Sequence, residues 1–172
     1  MLLNERKNIK QLLPRVGEVE VVGGVYTPYL IFGSLIYFLK DVDESMDLAN
    51  VETNKDRAKL ELTFANKRLL ETEKLARGGN FIPALRQCES FSAYMDKAVF
   101  YTDQAFSKGE DTEELMWLLE ESSIDQQKIF EKIIAKMPEA GKVSVAAIRD
   151  KVNQETVGLL KKDFHQFAIE EK

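Results

Sequence analysis

From position 56 onward, apolar residues recur at helical spacing in four stretches separated by glycine and proline. In Asp56 to Arg77, the residues Ala58, Leu62, Ala65, Leu69, Thr72 and Ala76 alternate at spacings of four and three, the narrow stripe of a helix packed in a bundle. The opposite face carries Lys59, Glu61, Lys67, Glu71 and Lys74 and reads as solvated. Gly78 and Gly79 stop that helix. Asn80 is placed to cap the next one and Pro83 suits its first turn, with Leu85, Cys88, Phe91, Met95, Ala98 and Ala105 on one side as far as Gly109. Asp111 to Glu114 has the spacing of a capping box, and Leu115, Leu118, Leu119, Ser122, Ile129, Ile133 and Met137 follow until Pro138. The last stretch opens at Ser144 and carries Val145, Ile148, Val152, Leu159 and Phe164, with Gly158 as a tolerated weak point.

The first 33 positions read differently. They hold six of the 13 glycines and prolines, so residues 1–27 are expected to form an irregular head and residues 28–172 a single helical domain. Val21 to Leu39 contains no charged residue, a length that raises a membrane span as an alternative. Glycine, proline, Thr27 and Ser34 interrupt the run, and the favoured reading is a short aromatic-rich helix entered through Thr27 and Pro28. The fold class expected is therefore all-α: a bundle of four long helices, a shorter leading helix and an irregular N-terminal head. Met1 to Gln11 is polar and lacks the apolar core of a signal peptide.

Composition narrows the chemistry. The 172 residues include 24 Lys+Arg and 29 Asp+Glu, a formal charge of −5, which argues against a nucleic-acid partner. One cysteine and one histidine exclude a disulfide framework and the paired Glu-x-x-His motifs of a di-iron bundle. His165 reads as a solvated or partly packed side chain and Cys88 as a core thiol. Asp41, Asp43, Glu44 and Asp47 would offer hard oxygen ligands to calcium, but the stretch lacks the glycine and the closing acid of a calcium loop. Neither a phosphate-cradling glycine loop nor a G-x-S-x-G element occurs. Trp117, Phe91, Tyr94, Phe100, Tyr101 and Phe106 read as core or groove-lining residues first and as a ligand cage second.

The string Ser34-Leu-Ile-Tyr37-Phe38-Leu39-Lys40, with Lys55-Asp-Arg-Ala58-Lys-Leu60-Glu-Leu62-Thr-Phe64-Ala65-Asn-Lys67-Arg68-Leu69-Leu-Glu71 after it, resembles a prokaryotic helical domain family of unknown function. That family reads small-x-x-Tyr-x-Leu-Lys and then Lys-Ala-x-Leu-x-Leu-x-x-Ala-x-x-Arg-Leu-x-Glu. Glu121 to Glu139, with its helix ending at Met137-Pro138, is similar to the family's closing motif. The resemblance covers residues 34–155 and rests on Tyr37, Lys40, Ala58, Leu62, Ala65, Arg68, Leu69, Glu71 and Pro138. It implies an extracytoplasmic or envelope-associated bundle of bacteria or archaea, commonly behind a leader or anchor, with no established activity and hence no functional residues to carry over. The present chain shows no leader, which keeps a cytoplasmic location as the alternative.

Together these features favour a non-enzymatic interaction or scaffold module with a protein partner, no cofactor and no metal, and a homo-oligomer as an open arrangement. A second reading is an apolar-ligand carrier whose pocket is formed by Tyr26, Tyr29, Phe32, Tyr37 and Trp117. A third is a domain anchored in a membrane through residues 21–39.

Overall fold

The computed structural model describes residues 48–170, with side chains described as far as position 162. Four helices fill this span: α1 (Asn54–Arg77), α2 (Phe81–Ser107), α3 (Glu113–Lys136) and α4 (Glu139–Glu170). No strand occurs among the described residues, so the all-α bundle of four long helices holds. They belong to a compact unit spanning Asp43–Lys172. The proposed leading helix, the irregular head, the uncharged run 21–39 and the acidic stretch 41–47 lie outside the described residues.

Local chemistry sets the helix ends. Thr53 caps α1, its hydroxyl oxygen accepting from the Asp56 N–H at 3.0 Å. Gly79 (φ 76°) and Gly109 (φ 72°) supply the left-handed residues that let Asn80 N–H reach the Leu75 carbonyl at 2.9 Å and Glu110 N–H reach that of Ala105 at 3.0 Å. Two expected caps differ. Asn80 occupies the N-cap of α2 but makes no side-chain cap bond. The capping box at Asp111 to Glu114 does not close: Asp111 accepts from the Glu113 N–H at 3.2 Å, while the Glu114 side chain turns to Lys59 of α1. Helix α4 also starts earlier than Ser144, because Pro138 leaves a rigid break after which Glu139 can open the helix and place an acid in its first turn.

The helices form two hairpins, α1–α2 and α3–α4, lying side by side in the same direction. The cross-links show it: Lys59 meets Glu114 and Asn66 meets Ser122 between α1 and α3, while Asp96 meets Lys151 and Asp103 meets Lys162 between α2 and α4. Helix neighbours around the bundle axis are thus α1, α2, α4, α3. The buried positions repeat between hairpins at a constant separation of 57: Ala58 with Leu115, Leu62 with Leu119, Leu69 with Gln126, Ala76 with Ile133, Cys88 with Val145, Met95 with Val152. Burial repeats while residue identity mostly does not.

The core follows the α1 stripe closely, with all six stripe residues buried. Ala58 and Ala65 give α2 close approach, while Leu62 and Leu69 fill the layers between them. Phe91 and Phe130 meet edge to face at 5.4 Å in the centre. Phe100 and Trp117 depart from the expected core placement and are exposed. Leu118 likewise falls at the rim, and Met116, Gln126 and Phe130 take the α3 core positions instead. Glu61 departs in the other direction: expected on a solvated face, it is only 1% exposed.

Candidate functional site

Leu115, Met116, Leu119, Gln126, Phe130 and Ile133 fix which side of α3 faces the bundle. That orientation turns Trp117 and Ile124, seven residues and about 10.5 Å apart along the axis, together toward solvent. Trp117 is 60% exposed and Ile124 57%, with Leu118 exposed beside them. Trp117 and Ile124 lie within about 20° of each other around the helix and so make an apolar pair rather than two single exposed residues, with Leu118 at the edge of their face.

The charges one turn either side of Trp117 are all of one sign, while Ile124 also has Lys128 four residues on. The positions three and four residues on either side of Trp117, its neighbours on the helix surface, are Glu113, Glu114, Glu120 and Glu121. Ile124 shares the last two. From Gly109 to Gln127 the chain holds seven acidic residues and no lysine or arginine. The helix dipole accounts for Glu113 and Glu114 but fades before Glu120 and Glu121. Lys59 hydrogen-bonds Glu114 and holds its carboxyl below the ordinary range. Lys128 pairs with Asp125 at 2.8 Å. Among the described residues no cation pairs with the side chains of Glu113, Glu120 or Glu121.

No family model, curated protein or solved structure matches this chain.

Two further polar clusters serve packing. Between α1 and α2, the Arg57 guanidinium lies 4.8 Å from the Tyr101 ring centre and that of Arg68 lies 5.6 Å from Tyr94, which also meets Phe64 edge to face at 5.7 Å. Arg68, though only 2% exposed, reaches Glu71, three residues on, at 3.4 Å, and Lys67 lies over the Phe64 ring. Between α2 and α4, Lys151 is gripped by both Asp96 oxygens at 2.8 Å, and this hydrogen bonding raises its pKa. Glu155 nearby is also raised, by burial first and then by Asp96.

Cys88 is fully buried, and burial, with a smaller contribution from Glu89, pushes its thiol up to about 12. Such a thiol holds its proton at neutral pH and is a poor nucleophile. Among the described residues no group of His, Cys, Asp and Glu is arranged to hold a metal ion, and no helix is long and apolar enough to cross a membrane.

The expected site residues therefore divide. Tyr26, Tyr29, Phe32, Tyr37 and Lys40 lie outside the described residues. Ala58, Leu62, Ala65 and Leu69 are core, Arg68 pairs with Glu71 within α1 and lies over the Tyr94 ring of α2, and Pro138 separates α3 from α4. Trp117 points outward and lines no interior cavity, since its helix already presents six other residues to the core. Ile124, which lies outside the apolar stripe of α3, is the partner of Trp117. The four glutamates bracketing Trp117 were the available signal, because an indole buried in a core is not normally ringed by carboxylates.

Proposed function

We propose that this protein is a non-enzymatic interaction module that docks another protein on the outer face of α3. The single observation that carries the reading is the exposed pair Trp117 and Ile124, set on a helix whose other side is already packed. Leaving an indole in water forgoes about 2 kcal/mol of burial, and nothing in the packing of α3 requires it there. Tryptophan is also the side chain that most often anchors a protein interface, where it fills a desolvated centre. A polar and charged rim around an apolar centre is the usual anatomy of such a surface. The inert thiol of Cys88 is consistent with a chain that carries no nucleophilic chemistry. Placement at a bacterial or archaeal cell envelope belongs to this proposal through the sequence resemblance alone.

The test uses a photo-crosslinking amino acid placed in the full chain at Trp117, and separately at Asn153 on the exposed side of α4. A single identified adduct formed from position 117, lost when Ile124→Asp is added and not formed from position 153, supports docking at α3. Equal adducts from both positions, or none from position 117, overturn it.

A further inference from the structure

We infer that the occupant of the α3 face is a cationic amphipathic segment of another protein, seating an apolar side chain between Trp117 and Ile124 while Lys or Arg side chains meet Glu113, Glu120 and Glu121. This rests on the docking reading above and names the partner's chemistry.

Charge complementarity is the reason. Glu113, Glu120 and Glu121 flank the apolar pair from both sides, and among the described residues no cation neutralises their side chains. Carboxylates left without counter-charges around an apolar centre favour an incoming segment of opposite charge, both in encounter and in register. The indole adds to this preference, since its ring face attracts an ammonium or guanidinium. Trp117 and Ile124 are also two helical turns apart, the spacing at which an amphipathic helix presents successive anchors to a surface.

The same charges disfavour the other occupants. A second copy packed antiparallel about the middle of the Trp117–Ile124 pair would set Glu120 and Glu121 against those of its partner, like charge against like. An anionic membrane surface would be repelled by the same residues.

Trp117 is the only tryptophan in the chain, so its fluorescence reports occupancy of this face directly. The experiment titrates the full-length protein with three synthetic helical peptides of about 18 residues sharing one leucine stripe, whose polar face is lysine, glutamine or glutamate. The lysine peptide is expected to shift the emission saturably to the blue. Its binding should weaken about tenfold between 0.1 and 1 M salt, as the Debye length falls from about 10 to about 3 Å. The double variant Glu120→Gln with Glu121→Gln should bind it about fivefold more weakly. Glu89→Gln with Asp150→Asn removes the same charge from exposed sites on α2 and α4 and should leave binding unchanged.

Equal binding of the glutamine peptide overturns the cationic assignment while docking at α3 stands. So does an equal weakening in both double variants. Failure of all three peptides to move the emission overturns the assignment and the docking reading together.

Discussion

The carboxylate of Glu110, in the loop between α2 and α3, accepts a hydrogen bond from the backbone N–H of Lys55 at 2.9 Å and so caps α1 from 55 positions along the chain. The same carboxylate accepts from the Asn54 N–H at 3.4 Å and from its side-chain amide at 3.2 Å. A negative charge against the first N–H groups of a helix satisfies orphan donors and complements the dipole. It also ties the second hairpin to the start of the first. Glu110→Ala is expected to lower stability by about 1 kcal/mol, and Glu110→Gln, which keeps the acceptor, by less. Urea unfolding with an unchanged m-value checks both; equal stability of wild type and Glu110→Ala would show that the cap contributes nothing.

Gln126 joins three helices. From α3 its side-chain N–H group donates to the Asn66 carbonyl oxygen of α1 at 2.9 Å and lies 3.4 Å from the Met95 sulfur of α2. Because Gln126 is buried, the bond to Asn66 should be visible as a coupling of about 0.5–1.5 kcal/mol. A double-mutant cycle with Asn66→Ala and Gln126→Ala measures it. Strictly additive losses would mean that the two residues act independently.

Leu69 and Leu70 are adjacent in sequence and opposite in environment, the first fully buried and the second 50% exposed. Leu69→Ala should cost about 2–5 kcal/mol, since it leaves a cavity in a packed layer. Leu70→Ala should stay within about 0.5 kcal/mol. Chemical denaturation of the two variants tests the orientation of α1 residue by residue, and similar losses would contradict it.

The Cys88 thiol titrates near 12 in the folded chain, raised by burial from its ordinary 9.0. Between those values the folded state keeps a proton that the unfolded state has released. Stability attached to this group is therefore fully present below pH 9 and lost as pH rises toward 12, by at most about 1.4 kcal/mol per unit. Cys88→Ala removes the titrating group. The stability difference between wild type and Cys88→Ala, followed by denaturation from pH 8 upward, should move steadily in favour of the variant; a constant difference would refute the burial of the thiol.

The α1 stripe was legible because it keeps strict bundle spacing, and each of its six residues is buried. The turns at Gly79 and Gly109 were legible for an equally local reason, the positive φ that glycine tolerates. Tertiary choices were not. The α3 stripe puts Leu118 in the core, where the structure buries Met116 and leaves Leu118 at the rim, a rotation of the helix that its own spacing does not set. The capping box does not form because the Glu114 side chain pairs with Lys59 of α1, a contact between helices that local spacing does not show. The parallel pairing of hairpins is not visible in the sequence because unlike residues share repeat positions: Leu69 corresponds to Gln126 and Cys88 to Val145. For the candidate site, the sequence held the decisive pattern in the glutamates around Trp117, but the preference for burying tryptophan masked it.

A Trp117 that serves binding and not packing is tested by the stability of Trp117→Ser in denaturant unfolding, read beside its affinity for the lysine peptide by anisotropy of a labelled peptide. Stability within about 0.5 kcal/mol of wild type is expected, as for an exposed residue, together with at least about tenfold weaker binding. A loss of about 2 kcal/mol or more in stability with binding unchanged would contradict it, placing Trp117 among the residues that hold the bundle together.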